Sequence, residues 1–197
     1  MDDSRPRPLL TRKAPKMLGY QQPSTFVHVT VESPAIAVMT DLRQVSAATI
    51  GAEAMLGDAS RTMMARNVRL LLVVAADQSV VGLITARDTH GERPIQWLHD
   101  RGGRYADLRV ADLMVPTEEI DLLDMRDVLH ADVGQVVALL KSLGRQHALV
   151  ADSNATTGAT RIRGIFSATQ IGRQLGIAVQ PFDVAITFAD IERTLAG

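Results

Sequence analysis

Cysteine is absent from this chain of 197 residues, and long apolar runs are absent too. A chain without cysteine forms no disulfides and has no thiolate nucleophile or cysteine-bound metal. The longest apolar stretch, LLLVVAA at 70–76, is far shorter than the ~18 consecutive apolar residues that span a bilayer. The N-terminal residues mix charge with proline and show no apolar stretch of signal-peptide length. We therefore expect a cytoplasmic protein with no membrane span.

An excess of charge of one sign is lacking as well. The 21 basic and 22 acidic residues give a net charge of −1, which provides no general field for nucleic acid or an anionic membrane. The one local basic excess, at 5–16, is proline-rich and typical of a mobile arm. We expect no nucleic-acid partner, although binding of nucleic acid through this arm stays open as an alternative.

Motifs for catalysis and for metal binding are missing. The five histidines, at 28, 90, 99, 130 and 147, show no spacing that would put two on one helical face around a metal. There is no phosphate loop, no dinucleotide fingerprint, and no arrangement of nucleophile, base and orienting group. We therefore predict no catalytic residues, no metal and no required cofactor, and conclude that the chain is not an enzyme.

An internal duplication is present, and it decides the architecture. Three segments recur in the same order with offsets of 75, 77 and 82 residues, namely AVMTD (37–41) with DLMVP (112–116), ARNVRLLLVV (65–74) with SLGRQHALVA (142–151), and VVGLITARD (80–88) with RIRGIFSATQ (161–170). The largest insertion falls in DSNATTGATR (152–161), whose composition marks a surface turn. The chain is two copies of one unit.

Each copy has the pattern strand, helix, strand, strand, helix. In the first copy, the segment QVSAATI predicts a short strand. The segment GDASRTMMARN predicts a helix with Ala59, Met63 and Met64 on one face. The segments VRLLLVVA and VVGLITA predict a hairpin closed by the turn DQS. A helix is expected from Thr85, and a further one over PIQWLHDRG. In the second copy, ADVGQVVALLKSLG predicts a helix, HALVA and IRGIFSA predict strands, and TQIGRQLG the final helix. A sheet this small needs a second sheet to cover it, so we expect the two units to pack together.

These segments resemble a tandem pair of cystathionine β-synthase-type domains, or CBS domains, in a stand-alone bacterial-type protein. The resemblance covers about residues 35–178. It implies an α/β (α+β) fold in which two β-α-β-β-α units form a pseudo-twofold pair. It also implies clefts that hold AMP, ADP, ATP or S-adenosylmethionine as a regulatory ligand, and association as a homodimer.

The family's ribose and phosphate motif is a glycine, two apolar residues, Ser or Thr, two variable residues and Asp. Gly82, Leu83, Ile84, Thr85 and Asp88 match it in full, whereas Gly164, Ile165, Phe166 and Ser167 match its first part and Gln170 departs from it. The resemblance therefore implies ligand-binding residues in two clefts: Gly82, Ile84, Thr85, Arg87 and Asp88 in the first, and Gly164, Phe166, Ser167 and Gln170 in the second.

Physical reasons support this motif. A glycine lets backbone and ligand approach closely, and Thr85 lies where strand turns into helix, with free amide donors facing an anionic phosphate. The Asp88 carboxylate can accept both hydroxyls of a ribose. Arg87, or Arg69 and Arg145 near the strand entrances, are candidate phosphate clamps.

A second interpretation needs no ligand. Thr85 with Asp88, and Ser167 with Gln170, both fit a helix capping box. Because the carboxylate is present only in the first copy, we expect a ligand site there and a cap in the second. His147, next to the first cleft, is interpreted as structural.

We predict a regulatory, energy-sensing module with no attached catalytic domain, whose binding of an adenosine-containing ligand is read by an unidentified partner protein. The predicted divisions are an N-terminal arm with a possible added strand (1–34, with the strand at 24–31), a first CBS domain (35–104), a second (105–178) and a C-terminal strand-helix extension (179–197). The main alternative is a dimerisation or scaffold module without ligand that regulates a partner by contact.

Overall fold

The computed structural model describes residues 29–153 and 156–176, together with Lys13. The strands are β1 (Thr40–Asp41), β2 (Thr49–Gly51), β3 (Leu70–Val74), β4 (Val80–Thr85), β5 (Val115–Pro116), β6 (Leu122–Asp124), β7 (His147–Ser153) and β8 (Thr160–Ser167). The α-helices are α1 (Leu56–Arg66), α2 (Ala86–His90), α3 (Glu92–Arg101), α4 (Val110–Leu113), α5 (Met125–Val128), α6 (Val133–Ser142) and α7 (Ala168–Gln174).

The strands form two four-stranded sheets with the same topology. The first has the order β2-β3-β4-β5 and the second the order β6-β7-β8-β1. In each sheet the first two strands are parallel and the other pairs antiparallel. Even a register shift recurs, after Val73 in β3 and after Val150 in β7. The predicted fold of two β-α-β-β-α units is confirmed.

The fourth strand of each sheet comes from the other copy. β1 precedes the first unit in the sequence but pairs with β8 of the second, and β5 precedes the second unit but pairs with β4 of the first. The 3-10 turn at Ala35–Val38 likewise packs in the core of the second unit, and α4 in the core of the first. The lead-in segments are therefore exchanged, and each copy completes its partner's sheet. The predicted domain boundaries stay predictions, and this exchange crosses the one placed after residue 104.

Each unit has an apolar core, and a third apolar cluster joins the two units. Successive side chains of a strand point to opposite faces of its sheet, so Leu71 and Val73 of β3 lie in the core under α1, whereas Leu70 and Leu72 face the other sheet. Leu149 of β7 meets them there. The sheets pack face to face through this third cluster, as predicted.

Most predicted elements are present. The hairpin forms as β3 and β4, the α6 stripe of Val133, Val136, Val137 and Leu140 is buried, and Gly144 has a φ of 59° at the end of that helix, where a left-handed conformation favours glycine. Two details of the first copy are wrong. Only the end of QVSAATI is a strand, and Met64 is 70% exposed, so the buried face of α1 consists of Leu56, Ala59, Ser60 and Met63.

Several predictions concern residues outside the described ranges. These are the arm at 5–16 apart from Lys13, the extension at 179–197, and most of the added strand at 24–31, whose described residues 29–31 are not in a strand. Within the described ranges, no helix has the length and apolar character needed to cross a membrane. The same residues contain no group of three His, Asp or Glu side chains that could hold a metal.

Candidate functional site

A cavity of about 340 Å³ lies between the two units beside the first motif. Thr85, Arg87 and Asp88 line one wall, and residues 120–123 and 145–149 of the second unit line the other. We name this cavity the first cleft. Its volume is within the ~300–1000 Å³ usual for small-molecule sites.

A hydrogen-bonded turn connects Thr85 to Asp88 at the start of α2. The Asp88 carboxylate accepts hydrogen bonds from the Thr85 backbone N–H at 2.8 Å and from its hydroxyl at 2.6 Å, both at Oδ2. This is the reaching-back contact of a capping box, so the cap predicted as the alternative is present in the first copy.

Asp88 also has an ion-pair partner. Its Oδ1 accepts from Arg93 Nη1 at 2.6 Å, and the residue is only 7% exposed. A carboxylate offers about four lone-pair positions, and these three hydrogen bonds leave one, on Oδ1. The Arg93 side chain is 48% exposed, so its release into water would free a second position on the same oxygen.

The rest of the first cleft combines an apolar surface with two arginines. The apolar surface includes Leu70, Leu83, Leu122, Leu123, Leu139 and Leu149. Arg87 and Arg145 line the same cavity, and Arg145 pairs with the exposed Asp121 at 3.0 Å. The cleft thus presents an apolar slot with cationic groups at its edge.

The two motif glycines face protein. A Cβ at Gly82 would lie 2.6 Å from the Val115 carbonyl oxygen and 3.0 Å from Met114 Sδ, and one at Gly164 would lie 2.7 Å from Met39 Cγ. Both glycines thus allow a close approach of the exchanged lead-in segment, and their predicted close approach to a ligand stays a prediction.

The apolar motif positions are core residues. Ile84 and Phe166 are 0% exposed and pack in the cores of the first and second units. Neither side chain lines a cleft. As contacts for a ligand, Gly82, Ile84, Gly164 and Phe166 are therefore limited to their backbone atoms.

A larger cavity of about 680 Å³ lies beside the second motif, lined by Ser167 and Gln170 among others. We name it the second cleft. Gln170 Oε1 accepts a hydrogen bond from the Thr40 hydroxyl of β1 at 3.1 Å, and Ser167 makes no side-chain cap bond. The expected capping box at Ser167 and Gln170 is therefore wrong, because the amide is engaged by the exchanged strand.

Two basic side chains, Arg69 and His147, lie at the strand entrances. His147 lines both cavities, and Arg69 lines the second, where its Nη1 donates to Thr169 Oγ1 at 3.0 Å. Arg69 is thus a candidate clamp for the second cleft, and Arg145 is the one that belongs to the first. Burial and the Arg69 charge lower the pKa of His147 to about 4, against a smaller opposing effect of Asp88.

This lowered pKa predicts a pH-dependent stability. An unfolded histidine titrates near pH 6.5, so the contribution of neutral His147 is complete above that pH and is lost as pH falls toward 4. Since the side chain lines two cavities and is only partly buried, we expect the loss at pH 4.5 to be on the order of 2 kcal/mol. Urea unfolding of wild type and His147→Gln at pH 7 and 4.5 measures it.

The matched control for this prediction is His99→Gln, because the His99 side chain is 86% exposed. Between the two pH values, His147→Gln should lose less stability than wild type, and His99→Gln should lose as much as wild type does. Equal losses in all three proteins would contradict the prediction.

Arg93 and Thr169 are partners of site residues that the sequence did not predict. Arg93 follows Asp88 by five positions and Thr169 is 100 positions from Arg69. Neither pairing has a signal in the sequence, because Arg93 lies on the helix after the one that carries Asp88, outside the i,i+3 and i,i+4 pairs of a single helix.

The fold resembles those of several solved structures. An uncharacterized conserved protein from Pyrococcus horikoshii is 21% identical with a TM-score of 0.54, over 78% of this chain and 99% of that one. A CBS-domain containing protein from Agrobacterium tumefaciens is 19% identical with a TM-score of 0.49, over 67% and 93%. CBSX2 from Arabidopsis thaliana, in complex with AMP, is 20% identical with a TM-score of 0.49, over 72% and 94%. These similarities concern the fold. No protein-family model and no curated protein matches the chain.

Proposed function

We propose that this chain, whose two sheets share one topology, is a tandem CBS-domain pair that acts as a regulatory module and binds an adenosine-containing ligand in the first cleft. The candidate ligands are AMP, ADP, ATP and S-adenosylmethionine. The observation that carries the proposal is the meeting of Thr85, Arg87 and Asp88 with a leucine-lined wall in one cavity between the units. The module acts by binding and not by catalysis.

Each part of such a ligand has a matching surface. The purine ring is flat and largely apolar, and the leucines of the cleft supply the apolar contacts that such a ring requires. A ribose hydroxyl can donate to the remaining position on Asp88 Oδ1, and a second can do so if Arg93 moves into water. Arg87 and Arg145 supply charge for a phosphate or carboxylate.

The position of the cleft provides the regulation. Because its walls come from both units, a ligand that contacts both favours one relative arrangement of the units over others. A partner protein, or a second copy in a homodimer, would read that arrangement.

The scaffold alternative is supported by one specific observation. Asp88 already accepts three hydrogen bonds from protein groups, so a helix cap alone accounts for its position. The two functions differ in whether the carboxylate also affects ligand affinity.

Thermal unfolding with AMP, ADP, ATP or S-adenosylmethionine tests the proposal. A ligand at about one hundred times its dissociation constant stabilises the protein by ~2.7 kcal/mol, which raises the melting temperature by roughly 5 to 11 °C for a chain of this size. Asp88→Asn should remove most of this rise, because an amide accepts fewer hydrogen bonds than a carboxylate.

Asp112→Asn is the matched control for Asp88→Asn. Asp112 has the same capping role in α4, where it accepts from the Arg109 backbone N–H at 2.8 Å, and it lines neither cleft. It should lower the melting temperature and keep the ligand-induced rise. If no ligand raises the melting temperature, the scaffold function is the better account. If Asp88→Asn keeps the rise, the ligand does not bind through the Asp88 carboxylate and the proposed site is wrong.

A further inference from the structure

The Asp88–Arg93 ion pair has no counterpart in the second copy of the unit. The repeat offset of 82 residues aligns Asp88 with Gln170. The same offset puts Leu175 at the position of Arg93, and Leu175 packs against the core of the second unit. A helix cap does not account for the arginine, because both capping hydrogen bonds go to Oδ2 of Asp88 and Arg93 binds Oδ1.

A break between two helices makes this ion pair possible. Gly91 separates α2, which carries Asp88, from α3, which carries Arg93. In one continuous helix, residues five positions apart lie about 140° apart around the axis, so Arg93 would point away from Asp88. A Cβ at Gly91 would lie 2.6 Å from the Arg87 carbonyl oxygen, so glycine permits the tight junction. The equivalent position in the second copy, Arg173, lies inside α7.

We infer that the Asp88–Arg93 ion pair is a latch, in which Arg93 occupies a ribose position on Asp88 and is released when the ligand binds. This inference deepens the proposed function and rests on it. One ribose hydroxyl can use the position that remains on Oδ1, but a second hydroxyl needs the position that Arg93 occupies. Binding through both hydroxyls therefore requires that the latch opens.

The latch connects the first cleft to α3. Asp88 lines the cleft and Arg93 does not, so the arginine reaches the carboxylate from outside. The Arg93 side chain is half-exposed, whereas that of Asp88 is buried. A released guanidinium therefore enters water, and the carboxylate stays in the cleft with the ligand.

The helix α3 is the part of the first unit that this release can move. Among its residues, all of which the structure describes, Pro94 alone is buried, and Ile95 is 71% exposed. An element with few buried contacts opens at a low free energy. The neighbouring helix α2 is held more firmly, because the carbonyl of its buried Thr89 accepts a hydrogen bond from the Tyr105 hydroxyl at 2.8 Å.

The indole of Trp97 supports a loosely held α3. Trp97 packs against the core of the first unit, with the Arg101 guanidinium 5.2 Å from the centre of its ring. Its N–H is buried and has no hydrogen-bond partner among the described residues. A buried donor without a partner is costly, so the observed position of α3 is one that a ligand can shift.

Calorimetric titration of wild type and Arg93→Ala with adenosine and 2′-deoxyadenosine tests the latch. Adenosine has no phosphate, so the loss of a nearby positive charge does not by itself weaken its binding. Arg93→Ala should bind adenosine about tenfold more tightly than wild type, which is roughly the effect of one hydrogen bond to a charged group. The affinity for 2′-deoxyadenosine, which lacks one of the two hydroxyls, should rise less. Wild type should therefore discriminate between the two nucleosides less than the variant does.

Arg61→Ala is the matched control for Arg93→Ala. Arg61 is an exposed arginine that pairs with Asp58 within α1, and it lines neither cleft. Its replacement removes one helical arginine and one ion pair, as Arg93→Ala does. Both variants should fold, because the replaced side chains reach solvent and alanine is the best helix former. Arg61→Ala should bind adenosine as wild type does.

The fluorescence of Trp97, the one tryptophan of the chain, reports the position of α3. Trp97 lines neither cleft, so a change in its emission reports movement of α3 and not contact with the ligand. Adenosine should shift the emission of wild type, and Arg93→Ala without ligand should already show the shifted emission. Arg61→Ala should behave as wild type does in both states.

The outcomes separate the latch from the proposed function. If wild type binds adenosine, and Arg93→Ala binds it equally or more weakly or keeps the wild-type emission, the latch is overturned and the proposed function stands. If neither protein binds adenosine, and AMP, ADP, ATP and S-adenosylmethionine leave the melting temperature of wild type unchanged, the proposed function is wrong and the latch is wrong with it.

Discussion

Gly82→Ala is expected to lower the free energy of unfolding by about 3 kcal/mol, at the upper end of the usual cost of overpacking. The added Cβ would lie 2.6 Å from the carbonyl oxygen of Val115, which belongs to the backbone of β5. A backbone held in a sheet moves only if its hydrogen bonds move with it. Because β5 is only two residues long, we expect it to separate from β4. Urea unfolding of the variant measures the effect.

Gly164→Ala is the comparison that tests this reason. The three atoms nearest to its Cβ would belong to the Met39 side chain, which is flexible and can adopt another rotamer. We expect a smaller loss than at Gly82, and a coupling energy of roughly 0.5–3 kcal/mol between Gly164→Ala and Met39→Ala in a double-mutant cycle. A loss at Gly164 equal to that at Gly82, or no coupling with Met39, would contradict the steric explanation.

The repeated units were predictable because their signals are local. Each hairpin is predicted by a continuous apolar run, a turn and a second apolar run. Each long helix is predicted by its apolar stripe. The exchange of β1 and β5 has no such signal, since a strand of two residues can pair with either sheet. The sequence did contain a hint in Met39 and Met114, which occur at the same place in both lead-in segments and lie over Gly164 and Gly82.

The roles of the motif residues were harder to predict. The sequence places a glycine, a hydroxyl and a carboxylate in order, but it does not say what faces the glycine. The same limit applies to the capping boxes. The capping contact is present between Thr85 and Asp88. Gln170 could reach back to cap α7 in the same way, but it accepts a hydrogen bond from Thr40, which is 130 positions away. Local patterns list the contacts that a side chain can make, and tertiary packing selects among them.

The exchanged strands also contribute to the difference between the two clefts. β1 brings Thr40 to Gln170 in the second cleft, whereas Val115 of β5 contributes an apolar side chain to the first. Elsewhere in the lining, the first cleft has acidic groups beside its two arginines, and the second has three arginines and no acidic residue among its described lining residues. Two copies of one fold thus have clefts of different chemical character.

Asp41→Ala is expected to cost about 3–5 kcal/mol, the loss typical when one partner of a buried ion pair is removed. Asp41 of β1 accepts from Arg163 of β8, and their side chains are only 16% and 12% exposed. The Asp41 carboxylate also accepts from the Arg43 backbone N–H at 2.7 Å. Without it, the Arg163 guanidinium stays largely buried and loses the carboxylate with which it pairs. Chemical unfolding measures the loss.

A nearby ion pair provides the control for Asp41→Ala. Arg43 and Asp152 are 3.0 Å apart, but their side chains are 69% and 38% exposed, so Asp152→Ala should cost at most about 1 kcal/mol.

In the first sheet, the repeat offsets put Pro116 and Val81 where the second sheet has Asp41 and Arg163, so apolar residues already occupy this place in the fold. The double variant Asp41→Leu, Arg163→Met should therefore lose less stability than Asp41→Ala alone. A larger loss in the double variant than in Asp41→Ala would contradict this expectation. It would mean that the intact ion pair stabilises the fold by more than it costs to leave Arg163 buried without Asp41.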